Sequence, residues 1–388
     1  METTANSRGL RCETQEEESR MELLANRLLM TEEPNDGAAR RLKSRYFVDS
    51  PGTHLREWFP PQWDESLPLD CRYFGKTLAE MDRQLPEDSL QPPLHVYLTY
   101  DPHALPEYGD RVVALLLSDE VGLIPRYARH VRAVFKTHRM RPVLGSSTLW
   151  KVDRLNVALW LKFVRNCALH FLSRWNSTFV PSKWPPRIHD KAQVFDVPLG
   201  YWRQDLLPQK SMEERTVQCF FAGSVSLKMP FWRRPIPSPK EIARRNMFAT
   251  VEKMKLNNGA IRFDVGEVTA STLLASADSL CYSKRMMDAR ICLAPRGTAI
   301  DTWRLFEGLR AGCLVICEHL SDDWFYAGAP VLRIDDWTEL QRVIEPYLDN
   351  LAALEEARLR SLAWWRDVCS EVAVGRAMAD YLLKMNVK

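Results

Sequence analysis

From Leu94 onward the chain alternates between short continuous apolar runs and longer stretches with apolar residues at helical spacing. Leu94–Tyr100, Val112–Leu117 and Val131–Lys136 are β-branched or aliphatic runs that end in polar residues, as strands buried on both faces of a parallel sheet do. Leu155–Trp175 repeats its apolar positions at the helical period, and Ala192–Val197 reads as a further strand closed by Pro198 and Gly200. A second series opens at Val217–Ala222. There Ser238-Pro239-Lys240-Glu241 predicts a capping box with proline in the first helical position, starting a helix that carries Arg244 and Arg245. Strands are predicted near Ile261–Val265, Ile291–Ala294, Leu314–Cys317 and Val331–Ile334. A last helical stretch, Leu351–Met385, is long enough to cross back over the first series.

This alternation predicts an α/β protein made of two consecutive Rossmann-like domains facing a central cleft. The expected divisions are a flexible polar lead-in over 1–40, a first domain over 41–212, a second over 213–350, and C-terminal helices over 351–388. Within the first domain, the part from 41 to about 90 is rich in proline and aromatics (Trp58, Phe59, Pro60, Pro61, Trp63) without clear periodicity. An irregular segment lying against the first sheet is expected there.

Composition narrows the class. With 46% hydrophobic and 27% charged residues in 388, the chain can bury two cores of ordinary soluble type. A net charge of +3, with both signs interspersed, lacks the one-signed field of a nucleic-acid binder. No apolar run reaches the ~18–20 residues that span a bilayer, and the polar, acidic N-terminus lacks the apolar stretch of a signal peptide. The nine cysteines show no CxxC spacing, and Cys219, Cys292, Cys313 and Cys317 fall in apolar strands. They read as buried thiols in a reducing compartment, so a cytoplasmic protein is expected. The sequon Asn176-Ser177-Thr178 carries no weight without a secretion signal. Most of the thirteen tryptophans are scattered singly and read as packing residues. The histidines lack metal-ligand spacing.

The segment Ile291–Val315 is the one where pattern turns into chemistry. An apolar strand enters Pro295-Arg296-Gly297, a helix opens near Asp301 or Thr302, and Gly312 precedes a second apolar strand. At the carboxyl end of a parallel strand, a glycine turn and a helix N-terminus favour phosphate. Arg304 and Glu307, three apart, share one helix face: a cation for a diphosphate and a carboxylate for ribose hydroxyls. The competing reading is an ordinary connection with a surface Arg–Glu pair.

The block Tyr282 … Ile291-Cys292-Leu293-Ala294-Pro295-Arg296-Gly297 … Arg304-Leu305-Phe306-Glu307 … Gly312-Cys313-Leu314-Val315 resembles the signature of the exostosin family. Phe220-Phe221-Ala222-Gly223-Ser224 resembles that family's Phe-x-Gly strand end, and Arg245-Asn246 its arginine that reaches the donor phosphates. Phe195-Asp196-Val197-Pro198 resembles its Asp-Val-x-x-Pro element, with the proline one place early. The likeness is good over 190–335, weak over 94–190 and absent before that. Relative to animal members, a protein without a membrane anchor or a second catalytic domain is expected. The resemblance implies a GT-B fold and an inverting glycosyltransferase that uses a nucleoside-diphosphate sugar, expected to be UDP-linked, and a saccharide or glycoconjugate acceptor. It also implies no cofactor and no metal. Asp322-Asp323 and Asp335-Asp336 are adjacent pairs that read as turn and cap residues. Carried over, Glu307 would hold the ribose, Arg304, Arg296 and Arg245 would neutralise the diphosphate, and Gly297, Phe221, Gly223 and Ser224 would border the cleft.

Inversion needs a general base for the acceptor hydroxyl. Candidates at strand ends of the first domain are Asp101 with His103, and Asp119 with Glu120, the latter two ranked first because they follow the most apolar strand. His130 and His138, eight apart among basic residues, are expected on the surface, the alternative being contact with an acceptor phosphate. Trp364-Trp365-Arg366 is expected where the last helix docks. Arg40-Arg41 and Arg233-Arg234 are short basic patches that suggest peripheral membrane contact. The alternatives are a non-catalytic nucleotide- or glycan-binding module, or a sugar phosphorylase or epimerase on the same fold.

Overall fold

The computed structural model describes residues 42–50, 54–60, 62, 66–86, 93–117, 120–139, 141–146, 152–178, 185–202, 205–225, 237–257, 261–267 and 277–385, and sorts the apolar runs into two sheets. The expected lead-in, both basic patches and Asp119 lie outside the described residues.

The first sheet contains β1 (Arg45–Asp49), β2 (Arg56–Trp58), β3 (His95–Thr99), β4 (Gly109–Leu116), β5 (Val131–Lys136) and β6 (Val194–Asp196) in the order β2-β1-β3-β4-β5-β6. All neighbours are parallel except β2, which runs antiparallel to β1. Helices α1 (Cys71–Gln84) and α2 (Arg154–Thr178) belong to this half.

The expectation of an irregular segment from 41 to about 90 is corrected: it holds β1, β2 and α1. The prolines and aromatics around Trp58 mask a helix whose apolar residues Cys71, Phe74, Leu78 and Met81 recur at three- and four-residue steps and are buried. Asp82 on that helix fixes β1 against it. Its carboxylate accepts from the backbone N–H groups of Lys43 (2.7 Å) and Ser44 (3.0 Å) and from the Tyr46 hydroxyl (2.9 Å).

The second sheet contains β7 (Val217–Gly223), β8 (Phe263–Glu267), β9 (Ala289–Ala294), β10 (Leu314–Cys317) and β11 (Val331–Arg333). Its order is β8-β7-β9-β10-β11, with every pair parallel. The chain therefore winds one way from β7 to β8 and the other way from β9 onward. The reversal between β7 and β9 is the crevice where open α/β sheets bind ligands. The helices here are α3 (Pro239–Asn257), α4 (Ala277–Met287), α5 (Trp303–Arg310), α6 (Leu340–Leu348), α7 (Leu351–Trp364) and α8 (Glu371–Met385).

Local chemistry explains the ends of these elements. The Ser238 N–H donates to Glu241 Oε2 (3.1 Å) and the Glu241 N–H to Ser238 Oγ (3.3 Å), the predicted capping box of α3. Helix α5 stops at Gly312, whose φ of 70° suits glycine, with Cys313 N–H donating to the Gly308 carbonyl (2.8 Å). A Cβ at Gly308 would lie 2.9 Å from Cys292 Sγ, so glycine there lets α5 sit close on β9. Cys219, Cys292, Cys313 and Cys317 are buried free thiols, as their apolar settings predict.

The long C-terminal helical stretch is interrupted. A π-helical turn at Trp365–Cys369 separates α7 from α8, closed by the Ser370 N–H donating to Trp365 O (2.7 Å). Trp364 and Trp365 are buried at this junction. Helix α8 packs on α1, where a Cβ at Gly375 would fall 2.6 Å from the Thr77 carbonyl. The Tyr73 hydroxyl donates to Cys369 O and the Tyr201 hydroxyl to Glu371 Oε1, each at 2.8 Å. The C-terminal helices are thereby tied to the first sheet's half. The two Rossmann-like sheets and the cleft between them form the α/β architecture that the alternation predicts.

Candidate functional site

A cleft of about 170 Å³ opens where the carboxyl ends of both sheets meet. From the second sheet it is walled by Ala222, Gly223 and Ser224 at the end of β7, by the loop after β9 including Gly297, and by Arg304 and Glu307 on α5. From the first it is walled by Glu120 after β4 and His138 after β5. The β7 and β9 ends are the strands between which the winding reverses, so the cleft occupies the position that topology alone singles out.

The β7 wall is cationic. Arg304 lies with its guanidinium 4.5 Å from the Phe221 ring centroid and donates through Nε to the Ala222 carbonyl (2.9 Å). A Cβ on Gly223 would fall on that guanidinium, which is why this strand ends in glycine. Arg244, buried on α3, donates to the carbonyls of Ser224 and of Arg296, the latter at 3.2 Å. Lys240, one turn earlier on α3, donates to Ser224 Oγ (3.0 Å). Burial, reinforced by Arg244, pushes the Lys240 ammonium down to about 8. Burial and then Arg304 lower Arg244 as well. Among the described residues none of the three forms an ion pair with a carboxylate. Carboxylates act on two of them from beyond ion-pair distance, Glu120 and Glu241 on Lys240 and Glu318 on Arg244, while the three cations raise one another's electrostatic cost, which an incoming anion would relieve.

Glu307 is buried beneath this wall. Its Oε2 accepts from the Tyr282 hydroxyl (2.6 Å) and its Oε1 from the Trp202 N–H (3.1 Å). Trp202 and Trp303 stack at 5.3 Å with an interplanar angle of 22°, and both line the cleft. This pair departs from the expectation that tryptophans serve packing. It forms a flat aromatic surface of the kind on which a base or sugar ring lies.

On the facing wall, Glu120 is exposed. His138 and Arg139 have consecutive positive φ angles of 59° and 66°, the left-handed region that non-glycine residues seldom adopt. Arg139 explains the bend: it pairs with Asp301 and Asp323, and the Tyr326 hydroxyl donates to Asp301 Oδ1 (2.6 Å). His138 is carried into the cleft, its Nδ1 4.0 Å from Asp301 Oδ2 and its ring edge-on to Trp303 at 6.3 Å. Burial lowers its pKa, opposed by Asp301 and Glu120, so the imidazole is held neutral. His138 Nδ1 and Trp303 Nε1 are both buried without a hydrogen-bond partner. Two orphaned polar atoms in one cleft mark a place that a ligand can satisfy.

Of the residues expected from sequence, Gly223, Ser224, Gly297, Arg304, Glu307 and Glu120 come together around this cleft. Two do not. Arg245 is exposed on α3. The buried stripe Ala243, Met247, Val251 and Met254 marks the inner face of that helix, and at 100° per residue Arg245 lies about 200° from Ala243 whereas Arg244 lies beside it. Arg296 is buried in an ion pair with Glu318 (3.2 Å) and donates to the Gly145 carbonyl, so it braces the loop of the other half and lies off the cationic wall. The expectation of surface histidines is also corrected. His130 is buried, with Nδ1 at 2.9 Å from Pro185 O. Lys240 and Arg244 were missed as cleft residues, and His138 was raised only as the alternative to a surface position. The four-residue step from Lys240 to Arg244 puts both on one helix face and was the available signal.

No protein-family model and no curated protein matches the chain. Among solved structures it is similar to a GtfA/B complex, with 12% identity and a TM-score of 0.37 over 72% of this chain and 58% of that one. The Glycosylation Associate Protein (Gap123) complex from Streptococcus agalactiae gives 10% and 0.34 over 72% of this chain and 55% of that one. TarM gives 9% and 0.36 over 70% and 54%. The chain thus spans little more than half the length of each. At these TM-scores the likeness supports no argument about site or reaction.

Proposed function

We propose that this chain is a glycosyltransferase that binds a nucleoside-diphosphate sugar on the second sheet's side of the cleft. The sugar passes, with inversion, to a hydroxyl of a saccharide or glycoconjugate presented from the first sheet's side. The observation that carries this reading is the unpaired cationic wall of Lys240, Arg244 and Arg304 at the strand-order reversal, set opposite Glu120 and His138. As the bond from the anomeric carbon to the diphosphate breaks, negative charge grows on the leaving oxygen, and fixed cations stabilise it in place. Glu307, beside this wall, suits the ribose hydroxyls, and the Trp202–Trp303 pair suits a flat ring. Glu120 takes the acceptor proton as the hydroxyl oxygen attacks. The exostosin resemblance, which rests on the quoted residues, agrees with this assignment and makes UDP the first nucleotide to test.

Calorimetry with UDP, GDP and dTDP on the parent, Arg304→Ala and Lys240→Ala proteins tests the donor site. The parent binds one of the three, and each variant binds it at least about tenfold more weakly, the loss of one charge-assisted contact. Equal affinity in parent and variants would overturn the site. Binding without turnover of any nucleotide sugar, across a panel of saccharide acceptors, would make the protein a nucleotide-binding module.

A further inference from the structure

Helix α2 is apolar on both sides, and among the described residues one side is buried and the other exposed. Leu155, Ala158 and Leu159 are buried on the inner face. Outward, Val157, Trp160, Leu161, Val164, Phe171, Leu172 and Trp175 recur at three- and four-residue steps and are all exposed, Phe171 by 64% and Trp175 by 56%. A helix that is apolar all round belongs in an interior, and a continuous apolar face of this length on a soluble surface marks a contact site. The charges flanking that face are Arg154, Arg165 and Arg174, with no Asp or Glu among the helix's 25 residues, while Lys162 turns inward towards the loop that carries Glu120.

We infer that this face docks the protein on an anionic lipid surface. The two properties together select that occupant. A second copy of the same helix would cover the apolar row but bring like charges together, whereas an anionic bilayer accepts the apolar side chains below its headgroups and the arginines among them. Trp160 and Trp175, fifteen residues apart, stand about 22 Å apart along the axis, one towards each end of the face. Both have the amphipathic ring that settles at a headgroup boundary. The helix lies along such a surface and does not cross it, because its inner face is fastened to the first sheet's loops. Ser146 Oγ donates to Asn156 Oδ1 (2.7 Å), the Ile124 N–H donates to Ser173 Oγ (3.0 Å), and His170 Nδ1 is 2.7 Å from Gly122 O. The Gly122 and Ile124 loop is the one that carries Glu120, so docking would hold the acceptor side of the cleft beside the bilayer. The docking inference does not depend on the donor-site reading.

Flotation of the full chain with phosphatidylcholine vesicles, with and without phosphatidylglycerol, tests it. The parent floats with the anionic vesicles and at least about tenfold less with the neutral ones, at ~1 kcal/mol per basic residue near the surface. Leu161→Asp/Phe171→Asp, at exposed positions that leave the melting temperature unchanged, abolishes flotation. Arg165→Glu/Arg174→Glu removes the preference for anionic lipid. Absence of flotation by the parent, or flotation that neither double variant alters, overturns the inference. So does a concentration-dependent dimer in sedimentation velocity that Leu161→Asp/Phe171→Asp disperses while the parent ignores vesicles, since that assigns the face to a second copy.

Discussion

The Tyr282 hydroxyl donates to Glu307 Oε2 at 2.6 Å, joining α4 to α5 beneath the cleft. Burial, and then the Glu307 charge, push the Tyr282 hydroxyl well above its ordinary range, so it stays a donor at every pH the fold survives. Tyr282→Phe takes that donor from a buried carboxylate. The expected cost is about 1.5–3 kcal/mol of stability, the range for hydrogen bonds to charged groups, read by urea denaturation. Nucleotide affinity should fall with it, because the carboxylate loses one of the contacts that aim it.

Gly223 and Arg304 make a second, sharper pair. Gly223→Ala places a methyl where the guanidinium lies. The clash is with the far end of a flexible side chain, so the change should move the melting temperature little. It should displace Arg304 from Phe221 and Ala222 O, and weaken nucleotide binding about as much as Arg304→Ala does. A Gly223→Ala protein that binds at parental affinity would remove Arg304 from the diphosphate site. Arg304→Lys keeps the charge but loses the planar stacking and the Nε donor, and should recover only part of the affinity.

Lys240 makes binding depend on pH. Its ammonium is lowered to about 8 in the folded protein, chiefly by burial. A diphosphate is attracted to the protonated form, so affinity should be flat below that pH and fall as pH rises through it. Lys240→Gln should bind more weakly and lose this dependence. Stability of the unliganded protein runs the other way. The unfolded lysine keeps its proton up to about 10.4, so between the two values the unfolded state holds more protons and stability from this group rises with pH. Calorimetry across the window reads the first effect and thermal melts of the parent against Lys240→Gln the second. Affinity that does not change across pH 8 would place Lys240 away from the bound phosphates.

The two-sheet plan and the second sheet's wall of the cleft were legible because they depend on local chemistry. Buried parallel strands are continuous apolar runs, and Gly223, Gly297, Arg304 and Glu307 sit within three residues of strand or helix ends that punctuation marks. What was not legible depends on the angle around a helix or on contacts distant in sequence. Arg244 and Arg245 are neighbours in the chain, and only the packing of α3 decides which one enters the cleft. Arg296 looks like a phosphate ligand until Glu318, 22 positions later, takes it. His138 reaches the cleft through a left-handed bend held by Arg139 and Asp301, 162 positions apart. Helix α1 was hidden because short strands and prolines around it broke the pattern before its period could register.

The first sheet's side of the cleft separates two chemistries. Glu120 is an exposed carboxylate on the cleft wall, whereas His138 is a neutral imidazole whose Nδ1 lies 4.0 Å from Asp301. A general base typically contributes 10²- to 10⁴-fold, so Glu120→Gln should lower kcat by about that factor while leaving UDP affinity within about twofold. His138→Asn is the matched control, because asparagine tolerates the left-handed backbone at that position and so removes the imidazole without straining the loop. It should lower kcat by less than about tenfold. The pH profile gives an independent reading. With Glu120 as the base, the acidic limb of kcat/KM persists in His138→Asn and is lost in Glu120→Gln. If instead the limb vanishes in His138→Asn while Glu120→Gln keeps its rate, the proton goes to His138. Asp301 would then balance the imidazolium, and Glu120 would have no part in the chemistry.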